Sequence, residues 1–236
     1  MNISKWKLVP NSLKRKLLQA IKYQTQSFVY VAIGDSTAEG MGSSSNERSY
    51  TSIVYSSIKS RYRNASYHNF ARSGAVLSTV ISSQLPKVLE LKPSLITISV
   101  GANDIIRRTS LQEFENDLYY LLKTLRQKTD ATIVISTVPD LSLTPAIPKL
   151  LKHYSKYKAG KLNTIIKNVG RETNTITVDL FEDSRAVLQA FPEAIASDGF
   201  HPSDFGYAIW ANTILVTLHN VLAPVPDTED STSSTE

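Results

Sequence analysis

The sequence predicts an α/β fold, a three-layer α/β/α sandwich built on a five-stranded parallel sheet. Two observations carry this. Short runs rich in β-branched residues alternate along the chain with longer segments of helical period, the pattern of strands that are covered by helices on both faces. Five such runs, each separated from the next by a helical segment, read as the strands of one parallel sheet. At 236 residues with 42% hydrophobic and 20% charged side chains, the chain is long enough to bury one sizeable core, and a single α/β domain is the expectation.

The elements follow in order. Residues 1–26 hold Lys5, Lys7, Lys14, Arg15, Lys16 and Lys22 and no acid. Within them Leu13, Leu17 and Ile21 recur every four positions, so a basic amphipathic helix is expected. Two readings of it stay open: a helix packed on the domain with its lysines in solvent, or an interfacial anchor with Trp6 at headgroup level, giving peripheral membrane contact. The first strand is "FVYVAIG" (28–34), and the others are "YHNFA" (67–71), "SLITISVG" (94–101), "TIVISTVP" (132–139) and "TITVDLF" (175–181). The segment "SLQEFENDLYYLLKTL" opens with Ser110 and Glu113 at capping-box spacing and lines up Leu111, Phe114, Leu118, Leu121, Leu122 and Leu125 on one face, as a packed helix does. Residues 139–161 read as a proline-punctuated connection leading into a helix. A last helix is expected within residues 201–222, beginning at Pro202 and Ser203. The domain closes near residue 223. The tail 224–236, with two prolines, four acids and no large apolar residue beyond valine, is read as disordered.

Composition removes several functions. With no cysteine there is no disulfide framework, thiolate nucleophile or cysteine zinc site. The first 26 residues carry a charge of +6, and the other 20 basic and 21 acidic residues nearly cancel to leave +5 overall, so no nucleic-acid stripe is expected. No apolar run is long enough for a signal peptide core or a membrane span. The location expected is therefore the cytoplasm.

The chemistry is sought where strands end. "VYVAIGDSTAEGMG" runs an apolar strand into Gly34-Asp35-Ser36-Thr37. Neither P-loop nor dinucleotide spacing fits: the position five after Gly34 is Glu39, and Gly40-Met41-Gly42 is followed by serines. The remaining chemical reading makes Ser36 a nucleophile, which needs a base, an orienting acid and oxyanion donors. Of four histidines, His68 lies in a strand-like run, and His153 and His219 lie in helical stretches. His201 stands on a turn, "SDGFHPSD", with Asp198 three residues before it. A carboxylate so placed can fix the imidazole tautomer. Two further loops, "NFARSGA" around Gly74 and "VGANDI" with Asn103, offer donors on the same rim, where open parallel sheets hold their ligands.

These four ordered blocks, "GDST", Gly74 in "NFARSG", "GAND" and "DGFHP", resemble the SGNH hydrolases of the GDSL esterase/lipase family across residues 30–210. The resemblance implies a flavodoxin-like sheet and a serine esterase that acts through an acyl-enzyme, with no cofactor and no metal. It makes Ser36 the nucleophile, His201 the base and acid, and Asp198 its orienter; the Ser36 N–H, the Gly74 N–H and the Asn103 amide form the oxyanion hole. Substrates would be small esters: short-chain acyl, acetyl or lysophospholipid. An acyltransferase using the same serine is the alternative, and a non-catalytic lipid- or carbohydrate-binding module is a further one. Thr37 departs from the leucine of the family name. Asp179, at the end of the fifth strand, rivals Asp198 for the acid role. Asp35, Asp104 and Asn69 are read as structural partners of their loops.

Overall fold

The computed structural model describes residues 10–14, 18 and 25–219. The expected N-terminal helix and acidic tail therefore fall almost wholly outside the described residues. Five strands, β1 (Ser27–Gly34), β2 (Asn64–Asn69), β3 (Leu95–Ser99), β4 (Thr132–Ser136) and β5 (Ile176–Val178), form one sheet in the order β2-β1-β3-β4-β5. Every pairing is parallel. The order reverses direction beside β1, so the loops after β1 and β3 diverge there and open a crevice at the carboxyl ends of the strands.

Helices cover both faces. On one lie α1 (Ser36–Glu39), which continues directly from β1, α2 (Tyr50–Arg61), and the last helix of the chain. On the other lie a broken helical run, α3 (Leu77–Thr79) and α4 (Leu85–Leu89) joined through a wide π-type turn at Val80–Gln84, then α5 (Ala102–Ile106), α6 (Leu111–Lys128) and α7 (Lys149–Glu172). Helix α8 (Leu180–Ala190) follows β5, and α9 (Asp204–His219) ends the described chain. None of the described helices is long and apolar enough to cross a membrane.

Period-two alternation in the strands sorts the core. Val31, Ile33, Ile96, Ile98, Ile133 and Ile135 pack with Phe114, Leu118, Leu121, Leu122 and Leu125 of α6 and with α7. Phe28, Tyr30, Ala32 and Val134 face the opposite way, onto α2 and onto Tyr207, Trp210, Ile214 and Leu218 of α9. The expected face of α6 is thus the one it buries, and Ser110 caps it by accepting the Glu113 N–H at 3.1 Å.

The strands are shorter at their carboxyl ends than the apolar runs suggest. Residues 137–139 and 179–181 continue the runs but leave the sheet. Asp179 caps α8, accepting from the Phe181 N–H at 3.2 Å, and Asn163 of α7 takes over Val138, accepting its N–H at 2.7 Å and donating to its carbonyl at 2.9 Å. In the other direction β2 begins earlier than expected, at Asn64, and ends at Asn69. There the Asn69 side chain draws the backbone away by accepting from the Ala71 N–H at 3.0 Å.

Candidate active site

Gly34 ends β1 with φ +139°, and a Cβ there would lie 1.9 Å from the Ser99 carbonyl oxygen. Only glycine lets the backbone turn so close to β3. The turn is held from three sides. The Asp35 N–H donates to the Ser99 carbonyl at 3.0 Å and the Arg72 N–H donates to the Gly34 carbonyl at 3.1 Å. The buried Gln84 amide clasps Gly34, accepting its N–H and donating to its carbonyl, both at 2.8 Å. Gln84 so imitates a neighbouring strand where the sheet has run out.

Helix α1 starts at Ser36. Asp35 is its N-cap, accepting from the Thr37 N–H at 3.0 Å and the Thr37 hydroxyl at 2.8 Å. Thr37 also shares a hydrogen bond of 2.9 Å with the Ser99 hydroxyl. The departure from leucine therefore supplies a polar strut between the cap and β3. Burial raises the Asp35 carboxyl to about 6, against the pull of the two Thr37 hydrogen bonds. As the first residue of the helix, Ser36 has a backbone N–H with no intrahelical acceptor.

His201 reaches Ser36 from 165 residues away. Its Nδ1–H donates to Asp198 Oδ2 at 2.6 Å, which leaves the Nε2 lone pair to accept from the Ser36 hydroxyl at 2.9 Å. Asp198 Oδ1 accepts from the Phe200 and His201 N–H groups at 2.8 and 3.0 Å. Partial burial works to raise the Asp198 carboxyl, but the His201 ring and the two N–H donors outweigh it, and the net shift is downward. The carboxylate stays ionised opposite the imidazole. Asp179, the rival acid, is engaged elsewhere: it accepts from Thr137 Oγ1 at 3.1 Å and pairs with Lys167. His68, His153 and His219 lie on β2, α7 and α9.

The two donor loops are tied to each other and to α1. Asp104 accepts from the Leu77 N–H at 3.2 Å, and Asn103 donates one amide proton to the Ala75 carbonyl at 3.1 Å. That contact orients Asn103 and leaves its second proton available. Glu39 of α1 accepts from both the N–H and the hydroxyl of Ser73, each at 2.6 Å, which fixes the residue before Gly74. Asn69 donates to the Ala38 carbonyl at 2.8 Å. Asp35, Asp104 and Asn69 thus serve as braces.

Four supports were not read from the sequence: Gln84, Glu39, Gly42 and the Ser44–Asp204 contact. Gly42 has φ +90°, and a Cβ on it would lie 2.6 Å from the Pro202 carbonyl oxygen and 2.7 Å from His201 Cβ. The loop after α1 therefore presses directly on the histidine turn. Ser44 closes the same contact by donating its N–H and hydroxyl to Asp204 at 2.8 and 2.6 Å. The glycine pair around Met41 was the one available signal; for Gln84, 50 residues from its partner, there was none.

Beside this constellation runs an open apolar groove lined by Ile105, Ile106, Ile147, Leu151, Tyr154 and Phe200. It adjoins the site through Phe200, next to His201, and through Ile105, two residues beyond Asn103. A deeper crevice lined by Leu141, Leu180, Val187 and Trp210 also touches Asp35 and Thr37, but Ser36 and Asn103 do not line it.

Comparison with known proteins agrees with the fold. The model of the GDSL-like lipase/acylhydrolase family matches residues 32–209. A GDSL-like esterase of Mycobacterium tuberculosis is 28% identical over 131 residues, 55% of this chain and 41% of that protein. An acetylxylan esterase of Geobacillus stearothermophilus is 27% identical over 137 residues, 54% of this chain and 60% of that protein. The chain thus matches about half the length of these relatives. Among solved structures, the Geobacillus stearothermophilus acetylxylan esterase Axe2 superposes with a TM-score of 0.67 at 21% identity, covering 83% of this chain and 96% of that one. The structure titled TesA superposes with a TM-score of 0.66 at 18% identity, covering 82% and 99%. At such identities the structural likeness speaks to the fold, whereas the family model spans most of the chain, including Ser36, Gly74, Asn103, Asp198 and His201: the chain belongs to the GDSL-like lipase/acylhydrolase family.

Proposed function

We propose that the protein hydrolyses carboxylic esters through an acyl-enzyme at Ser36. The observation that carries the reading is the continuous hydrogen-bonded chain from Asp198 through His201 to Ser36, with separations of 2.6 and 2.9 Å. Ser36 Oγ attacks the ester carbonyl carbon as His201 Nε2 takes its proton. The resulting imidazolium returns that proton to the leaving alkoxide, and the C–O bond to the alcohol breaks. Water, deprotonated by the same nitrogen, then cleaves the acyl-serine. Asp198 holds the tautomer and stabilises the imidazolium without itself taking the proton. The Ser36 and Gly74 N–H groups and the free proton of the Asn103 amide receive the charge that develops on the carbonyl oxygen.

The groove alongside Phe200 receives the acyl chain, which favours acyl groups longer than acetyl. A panel of p-nitrophenyl esters from acetate to palmitate tests both statements. Turnover with a burst of p-nitrophenol is expected, with efficiency rising beyond acetate. The Ser36→Ala variant should lose the burst and its labelling by a fluorophosphonate at unchanged thermal stability. A variant that still reacts with the probe would overturn the assignment of Ser36. Activity confined to acetate would remove the groove from acyl recognition and favour substrates of the kind the acetylxylan esterases are named for.

A further inference from the structure

The near-neutral charge of the domain conceals a segregated distribution. Between Asp140 and Glu172 there is no acid, and the same stretch holds Lys149, Lys152, Lys156, Lys158, Lys161, Lys167 and Arg171. Helix α7 spans most of it. Its inner side is ordinary: Ser155, Ala159, Leu162, Asn163 and Ile166 are buried. Its outer side is not. Leu150 is 90% exposed and Tyr157 58% exposed, and with Tyr154 and Lys161 they recur at four-, three- and four-residue steps, which places them on one stripe facing away from the core. Leu151 and, from the neighbouring α5, Ile106 extend the apolar surface, both well exposed. Lys161 lies over the Tyr157 ring, 5.6 Å from its centroid.

A solvent-facing helix normally carries its polar residues outward. Here aliphatic and tyrosyl side chains occupy the centre of the outward face and Lys149, Lys156 and Lys158 flank it, whereas Lys152 lies in line with the buried Ser155 and Ala159. Lys149 and Lys152 moreover stand in the first turn, at the positive end of the helix dipole, where acids are the ordinary choice. No acid within the helix offsets them before Glu172. This combination matches one environment: negative headgroups above hydrocarbon, with lysines at the phosphates, tyrosine rings at headgroup level and leucine below them. A polyanion such as a nucleic acid would engage the lysines but gains nothing from Leu150.

We propose that the outward face of the first three turns of α7, with Ile106, docks on an anionic phospholipid bilayer. The face shares Ile106, Leu151 and Tyr154 with the groove beside Phe200, so docking turns the groove mouth toward the membrane. That consequence for substrate delivery rests on the reading of Ser36 as an esterase nucleophile; the docking itself does not.

Co-sedimentation of the full chain with phosphatidylglycerol/phosphatidylcholine vesicles and with pure phosphatidylcholine vesicles tests it, with hydrolysis of soluble p-nitrophenyl acetate followed in parallel. The wild-type chain should sediment with the anionic vesicles and lose the interaction at high salt. Two variants outside the groove lining should each weaken binding at least ~10-fold, because each cation near such a surface contributes on the order of fivefold in partitioning. One is Lys149→Glu with Lys156→Glu, and the other is Leu150→Asp with Tyr157→Asp. Both should keep the wild-type rate on the soluble ester, which shows that they fold. Absence of vesicle binding by the wild-type chain overturns the proposal, as does retention of binding by either variant, which would move the contact to another segment. Binding to an oligonucleotide without binding to vesicles overturns it in favour of a polyanion site. A protein that docks but leaves the ester intact would instead refute the reading of Ser36 alone.

Discussion

Replacing Asp35 by Asn separates what this buried carboxyl costs the fold from what it does for the reaction. Asp35 is 2% exposed and ties down the start of α1 through two hydrogen bonds from Thr37, of 3.0 and 2.8 Å. Asn keeps the cap, because its carbonyl oxygen can accept both. What it removes is a charge that burial opposes: the carboxyl moves from an ordinary 3.8 to about 6 in the fold. The folded state therefore holds this proton more tightly than the unfolded chain does. Stability falls as pH rises from the unfolded to the folded value and is level above it. At ~1.36 kcal/mol per pH unit the full cost of ionisation is about 3 kcal/mol, of which about 2 kcal/mol develops between pH ~4.5 and pH ~8. For a domain of this size that corresponds to ~4–8 °C in Tm. Thermal unfolding of the wild type and Asp35→Asn across that pH range should show the variant gaining by this amount relative to the wild type as pH rises. A Tm difference independent of pH would refute the argument. The gain should have a catalytic counterpart: Asp35 and His201 attract one another electrostatically, so the ionised carboxylate favours the imidazolium formed in the reaction. Turnover of the variant should fall at neutral pH, where the wild-type carboxyl is ionised.

Asn103→Ala should lower kcat by ~10²–10³ with little change in KM, since its donor serves charge present only in the transition state; steady-state kinetics on a p-nitrophenyl ester reads this, and a defect confined to KM would make Asn103 a substrate-binding group. Gln84→Met keeps the volume but leaves the Gly34 N–H without its acceptor at 2.8 Å, while the Gly34 carbonyl keeps the Arg72 N–H; a loss of about 1–3 kcal/mol in urea unfolding is expected from the one buried group left unpaired. Gly42→Ala drives a methyl group against Pro202 and His201, so both Tm and kcat should fall, whereas a fully active variant would show that the histidine turn does not depend on that contact.

Two kinds of feature were legible in the residues. Asp198 and His201 are three apart on one turn, and Ser36 follows two residues after a strand of unmistakable apolar character, so local backbone geometry fixes where each can point. Strand ends were less legible. Val138 continues an apolar run, yet its N–H and carbonyl bond to a side chain of α7 rather than to a neighbouring strand. An apolar run records burial, and burial does not say which partner satisfies the backbone.

The sequence by itself determined the alternation that yields a parallel sheet, the α6 face that packs on it, and the types of group gathered at the strand ends, because period and turn chemistry act over a few residues. Only the tertiary structure decided that His201 meets Ser36 across 165 residues, that Gln84 substitutes for a missing strand at Gly34, and that Glu39 holds the residue before Gly74. It likewise decided that Leu150 and Tyr157 face solvent among lysines, where the charge sum of the chain showed only cancellation. Each of these depends on where distant segments cross. Chain separation carries no information about such crossings until the sheet order and the packing of its helices are fixed.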